Sequence, residues 1–283
     1  MDGTQIMERC YPESSYRTPT GGSRLPALGL PGLRALAFYP QVFWIVWRAR
    51  CKSVRGQYGH EQYARSGLAT LQAVERCGGT VEITGLDHLR AAPAPVVVIS
   101  NHMSTLETFV LGTMLIPEKP MTYVVKDSLL THAFFGPVMR SREPIAVTRT
   151  NPREDLKTVL KQGVAKLAAG TSLVVFPQST RMVGFVVSRF NSIGAKLAER
   201  AGVAVVPLAL QTNFWGNGKW IKECGPVGRC KEVRFAFGPA IPAGTPSRQT
   251  QAAVVEFLHQ RLPAWGIPWQ ETEAEIGGGA GDG

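Results

Sequence analysis

The chain has 283 residues, enough to bury a full hydrophobic core as one large domain or as a domain with an appendage. Its formal net charge of +10 favours an anionic partner such as nucleic acid, acidic phospholipid or an acidic carrier protein. The sequence contains no RNP-like, zinc-finger or recognition-helix pattern, and this argues against nucleic acid.

The chain is predicted to divide into four segments. Residues 1–24 are predicted to be a disordered lead, and the glycine-rich residues 271–283 a flexible tail. Residues 25–79 are predicted to form an N-terminal helical motif, and residues 80–270 an α/β domain. The five cysteines are scattered without a Cys-x-x-Cys spacing, so we expect free thiols in a reducing compartment and no metal site.

The first helical segment is apolar and aromatic but short. Residues 35–47 are uncharged, and as a helix they span roughly 20 Å, whereas a bilayer core needs about 30 Å. The prolines expected to break a helix here are Pro26, Pro31 and Pro40.

A basic cluster without an acid follows this apolar segment: Arg48, Arg50, Lys52 and Arg55. An apolar aromatic segment beside basic residues is typical of an interfacial membrane anchor. The alternative is a buried core helix with basic residues at its C-terminal end, where the helix dipole favours them. The anchor interpretation predicts a monotopic or peripheral protein on the cytoplasmic face of a membrane that contains anionic lipid.

Strands and helices alternate along the rest of the chain. The predicted helices cover residues 60–77, 104–116, 151–169, 193–202 and 249–262. The predicted strands cover residues 80–84, 95–100, 121–125, 144–147, 173–176, 203–210 and 233–237. This alternation predicts an α/β fold with a largely parallel central sheet flanked by helices, preceded by an N-terminal helical membrane-associating motif.

A histidine and an acid follow one strongly apolar strand. His102 lies just beyond residues 95–100, and Glu107 comes five residues later. In open α/β sheets, sites form beyond the carboxyl ends of the strands. If the chain turns between them, the carboxylate can orient the imidazole and leave its other nitrogen free to accept a proton. The alternative is a surface histidine and a first-turn glutamate favoured by the helix dipole.

Basic side chains follow three other strands. Arg181 ends a Phe-Pro-Gln-Ser-Thr-Arg block at residues 176–181, and its planar guanidinium suits a phosphate. Lys126 and Arg149 stand at two further strand ends. For each of these residues the alternative is a structural ion pair. The chain has no Gly-x-Ser-x-Gly motif, so Ser179 is interpreted as part of a turn and not as a nucleophile.

These features together resemble the PlsC-type glycerolipid acyltransferases, the 1-acylglycerol-3-phosphate or lysophospholipid acyltransferase family. The resemblance covers about residues 80–240. Its four motifs, in the order of the family, are the His-x4-acid motif at residues 102–107 and the segments 125–149, 176–181 and 205–210. The family usually has Asp at the position of Glu107, Glu-Gly at the positions of Gln178 and Ser179, and Asp at the position of Thr148. These departures concern the identity of the acceptor more than the type of reaction.

The resemblance implies transfer of a fatty acyl group from acyl-CoA or acyl carrier protein to a lysophospholipid hydroxyl, with 1-acylglycerol-3-phosphate as the acceptor, in phospholipid biosynthesis. His102 would be the general base and Glu107 would orient it, while Asn101 or backbone amides would stabilise the oxyanion. The other predicted substrate-binding residues are Arg181, Arg149, Lys126, Thr180 and Ser179. No metal or cofactor is implied beyond the acyl donor as co-substrate.

Three other functions stay open at this point. The acceptor could be a different lysolipid, an aminolipid or a lipid A precursor. The substitutions at Glu107, Gln178 and Ser179 also leave room for a catalytically silent lipid-binding protein of the same fold. A thioesterase, with water as the acceptor, is the third alternative.

Overall fold

The computed structural model of the protein describes residues 11, 14–20, 31–178, 180–219, 223–228 and 230–272. Within these ranges the strands are β1 (Tyr16–Arg17), β2 (Thr80–Thr84), β3 (Val96–Ser100), β4 (Met121–Lys126), β5 (Ile145–Val147), β6 (Ser172–Val175), β7 (Phe185–Val186), β8 (Ala204–Gln211), β9 (Glu232–Phe237) and β10 (Trp269–Gln270). The α-helices are α1 (Pro31–Val54), α2 (His60–Arg76), α3 (Leu86–Ala91), α4 (Leu106–Leu115), α5 (Ser128–Thr131), α6 (Gly136–Arg140), α7 (Pro152–Ala168), α8 (Ile193–Ala201) and α9 (Ser247–Arg261).

The central sheet has eight strands in the order β1-β2-β9-β8-β3-β6-β4-β5. Five neighbouring strands run parallel to one another: β8, β3, β6, β4 and β5. Strands β2 and β9 form a second parallel pair. Only the β8–β9 and β1–β2 pairs are antiparallel. The prediction of a largely parallel sheet flanked by helices is therefore confirmed.

Strand β3 lies in the middle of the sheet, and all five of its residues are buried. Its side chains alternate between two hydrophobic clusters, because successive residues of a strand point to opposite faces. Val96 and Val98 pack in the cluster that contains α1, α2 and α4, whereas Val97 and Ile99 pack in the cluster that contains α7, α8 and α9. Burial on both faces explains the continuous apolar run that precedes His102.

Helix α1 runs unbroken through Pro40, so the prediction that this proline breaks the helix was wrong. An interior proline removes one backbone hydrogen bond and crowds the preceding turn. Packing offsets that cost, because Phe38, Val42 and Val46 are buried in the core and α1 lies against α2. In the described ranges, no helix combines the length and the apolar character that crossing a membrane requires.

The described part of the N-terminal lead is ordered, contrary to the prediction for residues 1–24. Tyr16 and Arg17 pair with the edge of β2, and Tyr16 Oη and Thr18 Oγ1 each donate a hydrogen bond of 2.7 Å to Glu75 Oε1. Tyr11 is buried. The rest of the predicted lead and residues 273–283 of the predicted tail lie outside the described residues.

Candidate active site

The predicted histidine–acid pair is present at the end of β3. The chain turns between β3 and α4, so that His102 Nδ1 lies 2.8 Å from Glu107 Oε1. Glu107 is completely buried, and His102 is only 9% exposed. The turn is what brings the two side chains together, since a spacing of five residues on a continuous helix would direct them apart.

Glu107 is surrounded by hydrogen-bond donors. Its carboxylate accepts bonds from Met103 N at 2.7 Å, from Ser104 N at 3.0 Å and from the Thr212 hydroxyl. Burial acts to raise the pKa of Glu107, but the attraction and hydrogen bonding of His102, Thr212 and Ser104 outweigh it, and the pKa is lowered overall. The carboxylate is therefore held ionised, as an acceptor that fixes the orientation of the imidazole.

The His102 ring and backbone are held by the block at residues 176–181, here called the arginine motif, and by Met182 directly after it. The Phe176 ring stacks on the imidazole with centroids 4.4 Å apart. Gln178 Oε1 accepts a hydrogen bond of 2.9 Å from His102 N, and Met182 N donates one of 2.8 Å to His102 O. Because Glu107 engages Nδ1, Nε2 is the imidazole nitrogen left for a substrate. Sequence reasoning missed this role of Gln178.

Asn101 joins the histidine loop to the neighbouring strand β8. Its side-chain amide donates to Leu210 O at 2.9 Å, and its carbonyl accepts from Leu210 N at 2.8 Å. Asn101 is buried, and both ends of its side chain are used in this way. Of the two predicted sources of oxyanion stabilisation, this geometry favours backbone amides.

A cavity of about 430 Å³ opens beside His102. Its polar end is lined by Thr105, Lys126, Arg149, Thr180, Arg181 and Glu223. The rest of its lining is largely apolar and reaches α1, with Val46, Phe109, Leu129, Phe135, Met139 and Phe176 among the residues. Four of the predicted binding residues, Lys126, Arg149, Thr180 and Arg181, thus line the same cavity, while Ser179 lies outside the described residues.

Arg181 is held from two sides. Its Nη1 donates to the Thr105 hydroxyl, and its Nη2 donates to Glu223 Oε1 at 2.8 Å. The ion pair that was the alternative for Arg181 is therefore present, and the guanidinium also lines the cavity. Glu223 is a residue of this site that sequence reasoning missed.

Arg149 has an unusual backbone conformation, with φ of 60°. A residue other than glycine adopts this left-handed conformation only when the surroundings hold it there. Asp155, at the start of α7, accepts from Arg149 N at 2.7 Å and from Thr148 N at 2.9 Å. The pKa of Arg149 is lowered, first by burial and next by the nearby Arg181, while Asp155 partly offsets this. Two guanidinium groups therefore face the same end of the cavity.

The fold and this site together indicate the class of reaction that the protein can catalyse. A buried carboxylate orients a histidine at a strand end, and the cavity beside it joins a cationic end to a long apolar wall. Such a site suits proton abstraction from an amphiphilic substrate with an anionic head.

Comparison with known proteins identifies the family. Residues 80–211 match the Acyltransferase family. A 1-acyl-sn-glycerol-3-phosphate acyltransferase from Pseudomonas aeruginosa is 34% identical over 196 residues, which cover 69% of each chain. One from Chlamydomonas reinhardtii is 30% identical over 208 residues, which cover 72% of this chain and 54% of that relative. The chain belongs to the acyltransferase family and is an acyltransferase, so the predicted resemblance is confirmed.

A solved structure shows the same fold. The 1-acyl-sn-glycerophosphate (LPA) acyltransferase PlsC from Thermotoga maritima matches with a TM-score of 0.62 at 15% sequence identity. The match covers 85% of this chain and 98% of that one, so it extends beyond the residues that match the family.

Proposed function

We propose that the protein transfers a fatty acyl group from a thioester, acyl-CoA or acyl carrier protein, to the free hydroxyl of 1-acylglycerol-3-phosphate in phospholipid biosynthesis. The observation that carries this proposal is the His102–Glu107 pair. It lies beside a cavity that is lined by two arginines and by a set of apolar side chains. The names of the relatives from Pseudomonas aeruginosa and Chlamydomonas reinhardtii support the same acceptor.

His102 is the general base of the proposed reaction. Its Nε2 takes the proton of the acceptor hydroxyl as that oxygen attacks the thioester carbonyl. The tetrahedral intermediate then expels the thiolate, which receives the proton back from His102, and an ester replaces the thioester. Glu107 keeps Nδ1 protonated and stabilises the imidazolium, while backbone amides near the arginine motif stabilise the oxyanion.

The two ends of the cavity bind the two ends of the acceptor. Arg181 and Arg149 bind the phosphate, assisted by Lys126 at the end of β4 and by Thr180. The apolar wall between α1 and Phe176 accommodates a fatty acyl chain, since burial of each methylene contributes about 0.8 kcal/mol. Ser179, outside the described residues, stays a predicted member of the phosphate end.

The proposed function is tested by acyl transfer from palmitoyl-CoA, and in parallel from palmitoyl-acyl carrier protein, to a panel of acceptors. The panel contains lysophosphatidic acid, lysophosphatidylcholine, lysophosphatidylethanolamine and no acceptor. We expect product with lysophosphatidic acid, and Arg181→Lys should raise its KM about tenfold, because a lysine cannot form the bidentate contact.

Each other result of this panel has a defined meaning. Transfer to another lysolipid alone would keep the reaction and replace the acceptor. Steady thioester hydrolysis that added lysolipid does not suppress would indicate a thioesterase. Binding of lysolipid without turnover from either donor would indicate a silent lipid-binding protein.

We further propose that α1 holds the enzyme at the cytoplasmic face of a membrane with anionic lipid, as a monotopic or peripheral protein. While one face of α1 is buried in the core, the other exposes large apolar side chains: Leu36 is 72% exposed, and Phe43 and Trp44 are each 57% exposed. Arg48 and Arg50 follow on the same helix. An exposed aromatic patch beside basic residues suits the interface of an anionic bilayer. The cavity touches this helix at Val46, so an acceptor in the membrane would be close to the site.

Replacing Phe43 and Trp44 together by serine should lower binding to vesicles that contain phosphatidylglycerol at least tenfold. Each large aromatic side chain that is buried in the interface contributes about 1.5–3 kcal/mol, and 1.4 kcal/mol corresponds to a factor of ten. Vesicle co-sedimentation measures the loss. Turnover of detergent-dispersed acceptor should stay near the wild-type value, while loss of the Phe43–Phe134 stack, whose centroids are 5.3 Å apart, should lower the free energy of unfolding by about 0.5–1.5 kcal/mol. Unchanged vesicle binding would contradict the anchoring role.

A further inference from the structure

The part of the cavity that is proposed to bind phosphate, here called the phosphate end, already contains a carboxylate that belongs to the protein. In the described part of the chain, Glu223 is the one carboxylate that lines this cavity. Its Oε1 accepts a hydrogen bond of 2.8 Å from Arg181 Nη2. Arg181 Nη1 donates to the Thr105 hydroxyl, so both terminal nitrogens of the guanidinium have hydrogen-bond partners.

We infer that Glu223 is an internal counter-anion of the acceptor site, whose carboxylate pairs with Arg181 until the acceptor phosphate replaces it. This inference rests on the proposed function, because it takes the cavity end with Arg181 and Arg149 to be the phosphate site. A phosphate monoester carries about two negative charges near neutral pH. A carboxylate and a phosphate on the same guanidinium repel each other, so the two anions compete.

The backbone that carries Glu223 is fixed, so the exchange requires only a rotation of its side chain. Trp215 Nε1 donates to Glu223 O at 2.9 Å, and Gly216 N donates to Pro226 O at 2.9 Å. Tyr39 of α1 donates to Gly225 O at 2.5 Å. In contrast, the Glu223 side chain is 31% exposed and has space to turn towards solvent.

The arrangement also accounts for the close approach of two cations. Arg181 and Arg149 are near enough for Arg181 to lower the pKa of Arg149. The Glu223 carboxylate offsets part of this repulsion, and a phosphate that replaced it would do the same with more charge. The Glu223–Arg181 ion pair therefore weakens binding of the acceptor, while it also holds the Arg181 guanidinium in position.

Glu223→Gln separates the charge from the hydrogen bond, because the amide oxygen can still accept from Arg181. We expect a KM for lysophosphatidic acid that is about twofold to fivefold lower, with kcat within about twofold of wild type, as loss of one partly exposed ion pair implies. Calorimetric titration with sn-glycerol 3-phosphate, without an acyl donor, should show a Kd that is lower by the same factor. Glu223→Asp, which keeps the charge nearby, should change both constants less.

The matched control is Glu118→Gln. Glu118 forms a comparable ion pair of 3.0 Å with Arg90, and the two side chains are 23% and 31% exposed, but neither lines the cavity. This control should leave both constants unchanged.

Two results would overturn the inference. A higher KM and Kd in Glu223→Gln would show that Glu223 only positions Arg181, and unchanged values would show that its charge does not compete. The proposed function fails separately, when wild-type enzyme transfers no acyl group to lysophosphatidic acid from either donor. The calorimetric titration still decides the inference in that case, because it needs no turnover.

Discussion

Replacing His102 by alanine should lower kcat for acyl transfer about 10³-fold and leave the KM for the acceptor within a few-fold of wild type. General-base catalysis contributes about 10²- to 10⁴-fold, and His102 is the proposed base. Arg181 and Arg149, the proposed phosphate-binding groups, are unchanged by this substitution, so binding of the acceptor should persist. Steady-state kinetics with palmitoyl-CoA and lysophosphatidic acid measure both constants.

The folded state should survive the loss of the imidazole. Glu107 keeps its hydrogen bonds from Met103 N, Ser104 N and the Thr212 hydroxyl, so the carboxylate is not left without donors. Far-UV circular dichroism should match that of wild type, and the free energy of unfolding should fall by about 1.5–3 kcal/mol, the contribution of one hydrogen bond to a charged group.

His88→Ala is the matched control for this experiment. His88 lies on the short helix α3, where its Nδ1 is 3.0 Å from Phe237 O, and it does not line the cavity. This variant should keep wild-type turnover. Substantial transfer by His102→Ala with the fold intact would remove His102 from the role of general base.

The sequence was sufficient to predict the strands whose two faces are both covered by helices. The run of apolar residues before His102 indicates a central parallel strand, because only a strand covered on both sides lacks polar positions. The site pair followed from the rule that active sites form where such strands end. The helix predicted over residues 151–169 corresponds to α7, which begins at Pro152 with Asn151 as its N-cap.

Features that depend on contacts between distant residues were not predictable in the same way. Gln178 binds the His102 backbone across 76 positions, and Glu223 binds Arg181 across 42, and no periodic pattern connects such pairs. Pro40 was judged from its local effect on a helix, whereas the packing of α1 decided the outcome. The buried face of α1 agrees with the core-helix alternative, whereas membrane anchoring stays a proposal that rests on the exposed aromatic patch of the same helix.

Replacing Glu107 by glutamine should impair both catalysis and folding. The carboxylate accepts hydrogen bonds on both oxygens, from the imidazole, two backbone amides and a hydroxyl, so the NH₂ group of glutamine would face another donor. We expect the free energy of unfolding to fall by about 2–4 kcal/mol, since a buried charged acceptor is lost and a donor is left unsatisfied. The kcat should fall about 10³- to 10⁴-fold, as it does when a buried acid that orients a catalytic histidine is replaced by its amide.

The stability difference between wild type and Glu107→Gln should depend on pH, and its sign follows from the lowered pKa of Glu107. A carboxyl with a lower pKa in the folded state stabilises the fold fully above its unfolded pKa of about 4.3. That contribution is lost as the pH falls through the folded-state pKa. In urea unfolding measured at a series of pH values, the advantage of wild type should therefore narrow as the pH falls below about 4.

Two further variants complete this test. Glu107→Asp keeps the charge but shortens the side chain by one methylene, so its kcat should lie between those of wild type and Glu107→Gln. Glu75→Gln is the matched control, because Glu75 accepts hydrogen bonds from Tyr16 and Thr18 and does not line the cavity. Its turnover should stay at the wild-type level. If Glu107→Gln retained wild-type turnover, orientation of His102 by a carboxylate would have no part in the reaction, and the proposed mechanism would reduce to an unassisted histidine beside the arginine-lined cavity.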